Sequence, residues 1–220
     1  WVSYVEMVKI AQGKSVLVKT SMENNFCLTA EQLEEVITPN TKLLMLCTPN
    51  NPTGSVYTYE NLKAIVEVLK KHPQIIVLAD EIYQHILYTG KHETLAQFPE
   101  LEDRLIIING VSKAYAMTGY RIGWLACHDK DFITAVKRLQ GQTISCATTI
   151  AQKAAEAAYA GPQDCVEEMR QAFERRRNLI VGLAKEIPGM KVLEPQGAFY
   201  LFPDVSAFFG KQYNGQTIHN

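Results

Sequence analysis

Short apolar runs rich in leucine and β-branched residues recur along the first 130 residues, separated by stretches with helical spacing. That alternation argues for parallel strands joined by right-handed crossovers, because parallel neighbours cannot be linked by a tight turn. The predicted strands are 15–19 (SVLVK), 42–47 (KLLMLC), 75–79 (IIVLA), 104–108 (RLIII) and 123–127 (GWLAC). Between them, Thr29-x-x-Gln32 is a capping-box start for a helix over 30–37, and 58–72 places Leu62, Ile65, Val66 and Leu69 on one stripe. After residue 128 the texture becomes helical, over 129–140, 148–160 and from Pro162, at a favourable first-turn position, to about Ile187. On that last helix Arg175, Arg176 and Arg177 are expected to form a solvated face rather than a nucleic-acid patch. The Pro188-Gly189 turn leads into two short predicted strands, 190–194 and 198–202, the start of a smaller α+β domain. The expected fold class is therefore α/β, a mostly parallel sheet flanked by helices over 1–172, with the beginning of a small domain over 173–220.

Composition narrows the function classes. A formal charge of −1, from 22 basic and 23 acidic residues, gives no electrostatic reason for a nucleic-acid or membrane-surface partner. No run of about 18 apolar residues offers a membrane span. Five cysteines (Cys27, Cys47, Cys127, Cys146, Cys165) are scattered without a CxxC pair, which reads as reduced thiols in a cytoplasmic protein. The five histidines lack ligand spacing on any helix face, so no metal site is expected, and surface or capping roles suit them better. The first residue is Trp1 rather than Met, and Ile218-His219-Asn220 follows a glycine-containing turn, so the chain reads as part of a longer protein.

Four stretches carry chemistry, in fixed order: Asn51-Pro52-Thr53-Gly54, Asp80-Glu81-Ile82-Tyr83, Ser112-Lys113, and Met117-Thr118-Gly119-Tyr120-Arg121-Ile122-Gly123-Trp124. Singly each is ordinary. The first is a turn, Asp80-Glu81 can cap a helix, and a lone lysine belongs on the surface. Jointly they change meaning, since the first three follow consecutive predicted strands, and in open parallel sheets the ligand sits beyond the carboxyl ends of the strands.

The ordered set resembles the class I/II aminotransferases of fold type I, which use pyridoxal 5'-phosphate (PLP). The resemblance runs from Trp1 to about Pro203, and the opening Trp1-Val2-Ser3-Tyr4 is most like the bacterial aspartate aminotransferase branch. It implies that Lys113 forms the Schiff base, Asp80 partners the pyridine nitrogen, and Tyr83 and Asn51 donate to the phenolic oxygen. It further implies that Ser112 and Arg121 hold the phosphate, that Trp1 stacks on the ring, and that the Asn51–Pro52 bond is cis. Lys113, Asp80 and Tyr83 would be the catalytic members.

Physics agrees with each role. A desolvated amine near positive charge serves as nucleophile and then as base, and Arg121 is the charge nearest in sequence. A carboxylate beside the ring nitrogen keeps it protonated and the ring a good electron sink. Arginine's fork suits phosphate better than a lysine point charge. Pro195-x-Gly197-Ala198-Phe199-Tyr200 resembles the family's small-domain strand and receives no catalytic role.

The implied reaction moves an α-amino group, most plausibly from aspartate, to a 2-oxo acid, in a homodimer. The alternatives are another fold-type-I enzyme (an aromatic or branched-chain transaminase, or a lyase) and the PLP-sensing domain of a transcription regulator, which requires a basic DNA-binding segment ahead of Trp1. By the same resemblance, the glycine-rich phosphate loop and the partner-subunit tyrosine precede Trp1, and the arginine that clamps the substrate carboxylate follows Asn220. The piece alone is accordingly expected to be inactive. Strand 15–19 would lose its sheet neighbour, and is expected to be displaced, disordered or paired with a second copy.

Overall fold

The computed structural model describes residues 1–219. Its sheet contains β1 (Leu43–Cys47), β2 (Ile76–Asp80), β3 (Leu105–Gly110) and β4 (Gly123–Ala126), ordered β1-β2-β3-β4. The first two pairings are parallel, with Cys47 opposite Asp80 and Ile108 opposite Asp80, and β4 returns antiparallel along β3. The carboxyl ends of β1, β2 and β3 therefore lie side by side, as the spacing of the motifs requires.

Helix α1 (Ser3–Ile10) precedes α2 (Ala30–Val36), and α3 (Tyr59–Lys70) carries the chain from β1 to β2. The crossover from β2 to β3 contains only two short 3-10 segments, Leu95–Gln97 and Pro99–Arg104, in place of a helix. Both capping signals close as their sequences suggest. Thr29 and Gln32 exchange bonds of 3.2 and 3.1 Å at α2, and Thr58 and Asn61 exchange bonds of 3.2 and 3.1 Å at α3. The α3 stripe forms the core against β2, with Leu62, Ile65 and Leu69 at 0% exposure and Val66 at 1%.

Arg104 locks the far end of α3. Its guanidinium donates to the carbonyl of Leu69 (2.8 Å) in the last turn of the helix and to those of His72 (2.7 Å) and Ile75 (3.1 Å) in the segment that follows. Arg104→Ala should lower unfolding free energy by about 2 kcal/mol, since hydrogen bonds to a charged group are stronger than neutral ones. Urea denaturation measures it; an unchanged midpoint would mean water replaces the guanidinium without loss.

Several expectations are corrected. Residues 15–19 form no strand: the segment has no ladder neighbour, Leu17 is 74% exposed, and only Val18 packs on the core. Gln32 Nε2 holds it by the Lys19 carbonyl at 3.0 Å.

The strands predicted at 190–194 and 198–202 reduce to isolated bridges, Lys191 with Asp204 and Leu87 with Gly197. Pro195 offers no N–H for a ladder, and Ala198 takes a left-handed backbone (φ 56°). A small hairpin, β5 (Gln212–Tyr213) and β6 (Gln216–Thr217), lies beyond them.

After α4 (Lys130–Thr143) and α5 (Thr149–Ala160), α6 (Asp164–Lys185) begins past Pro162, which stands outside its first turn. Gln163 closes the preceding loop by donating to the Gly161 carbonyl at 2.7 Å. Successive helical positions point about 100° apart, so the arginine triplet divides. Arg175 and Arg176 are exposed, whereas the Arg177 side chain is 9% exposed, sits 4.8 Å over the Tyr88 ring and bonds Glu194 at 3.0 Å.

Candidate active site

The loop after β1 is built by its own side chains. Asn50 Oδ1 accepts from the Thr53 amide (3.3 Å) and hydroxyl (3.0 Å), and the Thr48–Pro49 and Asn51–Pro52 bonds are both cis, the second as the resemblance implies. Gly54 is required for two reasons. Its φ is +70°, and a Cβ there would lie 2.5 Å from the Pro195 Cβ. The close approach lets the Gly54 carbonyl accept from the amides of both Gln196 and Gly197 at 2.9 Å, tying the distant 195–200 segment to this loop.

Asp80 ends β2, and strand alternation sends Glu81 the other way. The buried Glu81 accepts the Thr94 hydroxyl at 2.6 Å and faces His92 Nε2 at 3.2 Å. The His92 contact is charge proximity only, because neither ring nitrogen is in hydrogen-bonding alignment. His92 is thus largely buried, unlike the surface role expected of it. Asp80 instead receives the Ile82 amide at Oδ1 (3.1 Å) and the Tyr4 hydroxyl at Oδ2 (2.5 Å). Burial, with the charges of Cys47 and Asp80, pushes the Tyr4 hydroxyl far above its ordinary pKa, so it stays a protonated donor.

Trp1 stands at the mouth of this arrangement. Its main-chain nitrogen donates to the Asn51 carbonyl at 3.0 Å, and its ring meets Tyr4 edge-on at 5.4 Å. Cys47 lies beneath, its thiol pushed up to about 11 by burial first and then by the Asp80 charge. Burial moves the Cys27 thiol to about 11 as well. At pH 8 both are then about one part in a thousand thiolate. Iodoacetamide should therefore label the exposed Cys146 and Cys165 well before Cys27 and Cys47, a ranking readable by peptide mass mapping. Early labelling of Cys47 would contradict the closed floor.

Tyr83 is buried, and that burial, reinforced by its bond to Tyr200, raises its hydroxyl well above the ordinary range. The Tyr200 hydroxyl is 2.7 Å from that of Tyr83 and accepts from Asn51 Nδ2 at 3.2 Å. Lys113 occupies the turn after β3, where the Tyr115 amide bonds the Val111 carbonyl at 3.2 Å. Its Nζ lies 5.8 Å from the Tyr83 ring centre and 5.9 Å from that of Phe199.

Ser112 precedes Lys113 in the same turn. Arg121 adopts a left-handed backbone (φ 51°) after the 3-10 turn Thr118–Tyr120 and donates Nη1 to the Thr118 carbonyl at 2.7 Å. Among the described residues no hydrogen bond or ion pair joins Arg121 to the other members.

The structure thus brings Asn51, Tyr83 and Lys113 around one space, with Asp80 and Trp1 linked to it through Tyr4 and Asn51. Tyr4, Phe199 and Tyr200 were not singled out as site residues. Tyr4 was legible only as part of the opening Trp1-Val2-Ser3-Tyr4, and Tyr200 only as the end of a stretch that resembles the family's small-domain strand. Among the described residues, no three His, Cys, Asp or Glu side chains are grouped to hold a metal, and no helix is long and apolar enough to cross a membrane.

The model of the aminotransferase class I and II family matches residues 1–212. The chain belongs to this family. The aspartate aminotransferase of Geobacillus stearothermophilus is 50% identical over 206 residues, spanning 93% of this chain and 52% of that relative. A Petunia hybrida relative, named a bifunctional aspartate and glutamate/aspartate-prephenate aminotransferase, is 44% identical across 98% of this chain and 46% of its own length. Among solved structures, the aspartate aminotransferase of Rhizobium meliloti superposes with a TM-score of 0.95 at 41% identity, over 100% of this chain and 55% of that one. An aromatic aminotransferase from Pyrococcus horikoshii gives 0.88 at 36% identity, over 92% of this chain and 54% of that one. The chain spans about half the length of the curated aminotransferases it matches.

Proposed function

We propose that this protein transfers the α-amino group of an amino acid, aspartate first among donors, to a 2-oxo acid with PLP as cofactor. The observation that carries the reading is the convergence of Asn51, Asp80, Tyr83 and Lys113 at the carboxyl ends of three adjacent strands. The names of the relatives favour aspartate.

The donor set fits PLP. The Lys113 amine is the nucleophile for a carbonyl, the Asp80 carboxylate suits a protonated ring nitrogen, and Asn51 and Tyr83 offer donors to a phenolic oxygen. Arg121, with one nitrogen committed to Thr118, retains the rest of its fork for phosphate, and the Ser112 hydroxyl offers a further donor. Bound there, PLP supplies the electron sink for charge left at the substrate α-carbon. Lys113 would hold the cofactor, and its amine, when free, would move the substrate's α-proton. Tyr4 and the Ile82 amide fix the Asp80 carboxylate, and Trp1 shields the ring from water.

Residues 1–172 are read as the PLP-binding unit and 173–220 as the start of a smaller one, with α6 running through the division; Asn220 lies outside the described residues. A homodimer in the cytoplasm accompanies this reading. Its supports are the exposed Val2, Ile10, Val16 and Leu17, which offer apolar surface for a second copy, and the five unpaired cysteines.

The test is a donor panel assayed with the whole protein, PLP and 2-oxo acid acceptors, prephenate included. Aspartate should give the highest kcat/KM, with parallel double-reciprocal lines because the first product leaves before the second substrate binds. Preference for aromatic or branched donors, or release of a lyase product, would replace aspartate transamination. PLP binding without turnover of any donor would favour a sensor.

A further inference from the structure

Tyr200 is anchored far more firmly than a surface tyrosine needs to be. Its segment is pinned by the Gln196 and Gly197 amides on the Gly54 carbonyl (2.9 Å each), the Ala198 amide on the Ile86 carbonyl (2.8 Å), and the Tyr88 hydroxyl on the Ala198 carbonyl. A Cβ on Gly197 would lie 2.7 Å from the Pro49 side chain, so the segment is seated directly on the Asn51 loop. The seating delivers one hydroxyl between the two side chains assigned to the cofactor's phenolic oxygen, 3.2 Å from Asn51 Nδ2 and 2.7 Å from the Tyr83 hydroxyl.

An amide nitrogen only donates, so the Tyr200 oxygen accepts from Asn51. Between the two tyrosine hydroxyls either oxygen can be the donor, and in both arrangements Tyr200 ties Tyr83 to Asn51 through one oxygen. Where Tyr200 gives its hydrogen to Tyr83, the Tyr83 hydrogen serves another acceptor, and each donor is polarised by the one behind it.

We propose that Tyr200 is a positioning residue that orients Asn51 and Tyr83 as donors to the phenolic oxygen of PLP and thereby sets the protonation equilibrium of the Lys113-bound cofactor. The proposal rests on the PLP reading above. Donors to a phenolic oxygen draw off its negative charge, so a proton nearby is held less tightly; weakening those donors raises the pH at which it leaves. Tyr200 acts through Tyr83 and Asn51 and does not touch the cofactor.

The experiment uses the PLP-loaded full-length protein and follows the pH midpoint of the cofactor's visible absorption band, a readout separate from turnover. Tyr200→Phe keeps the ring that meets Tyr83 edge-on at 5.8 Å and removes only the hydroxyl. The midpoint should move upward by less than it does in Tyr83→Phe, and PLP affinity should fall severalfold. In the Tyr83→Phe background, Tyr200→Phe should add little, because its route is already cut. An unchanged midpoint in Tyr200→Phe, or full additivity in the double variant, overturns the inference while leaving the PLP reading intact. A wild-type protein with no pH-dependent band sinks the PLP reading itself.

Discussion

Lys113→Ala should abolish covalent capture of PLP and lower kcat/KM by about a thousandfold or more, since on the proposed reading one side chain is both nucleophile and proton carrier. Lys113 follows β3 in a turn that places Nζ near the Tyr83 and Phe199 rings, at 5.8 and 5.9 Å. Among the described residues no other lysine makes a hydrogen bond, ion pair or ring contact within this group, so no such amine stands in for it. The substitution is gentle on the fold, because the side chain is only partly buried and takes no hydrogen bond or ion pair among the described residues. Loss of activity with an unchanged unfolding midpoint is therefore the expected pattern. Borohydride reduction of the PLP-loaded protein followed by peptide mapping reads the same claim directly. A label on a different lysine, or turnover retained by Lys113→Ala, would move the chemistry elsewhere.

What the chain announced in advance follows a physical division. Local signals were legible: the apolar runs became β1, β2 and β3 within a residue or two, the Thr58 cap and the Leu62-Ile65-Val66-Leu69 stripe became α3, and the motifs landed at strand ends. Contacts between distant segments were not. Tyr4 reaches Asp80 across 76 positions, and Tyr200 reaches Asn51 and Tyr83 across 149 and 117, and nothing in their local spacing marks them. The same limit explains segment 15–19, whose strand-like sequence needs a neighbouring strand to become one. It explains Arg177 too: helical periodicity gives the direction of a side chain and not whether Tyr88 and Glu194 wait there.

Asp80→Ala should slow α-proton removal by at least about a hundredfold, roughly 3 kcal/mol, while leaving covalent attachment at Lys113 possible. The reason is specific to the step. Attachment needs only the amine, whereas proton removal leaves charge on the substrate carbon that a protonated ring nitrogen must draw away. The Asp80 carboxylate is preset for that partner, with Oδ1 on the Ile82 amide at 3.1 Å and Oδ2 on the Tyr4 hydroxyl at 2.5 Å. Tyr4→Phe removes one of these bonds and keeps the charge, so it should cost about tenfold in the same step, within the range for a hydrogen bond to a charged group. Asp80→Asn separates shape from charge: it retains the packing and should fail nearly as badly as Asp80→Ala. Single-turnover half-reactions with aspartate, followed by cofactor absorbance, resolve the three variants. Equal rates in wild type and Asp80→Ala would reduce Asp80 to the residue that closes the turn onto Ile82. An Asp80→Asn variant as fast as wild type would show that the site needs the side chain's shape and not its charge.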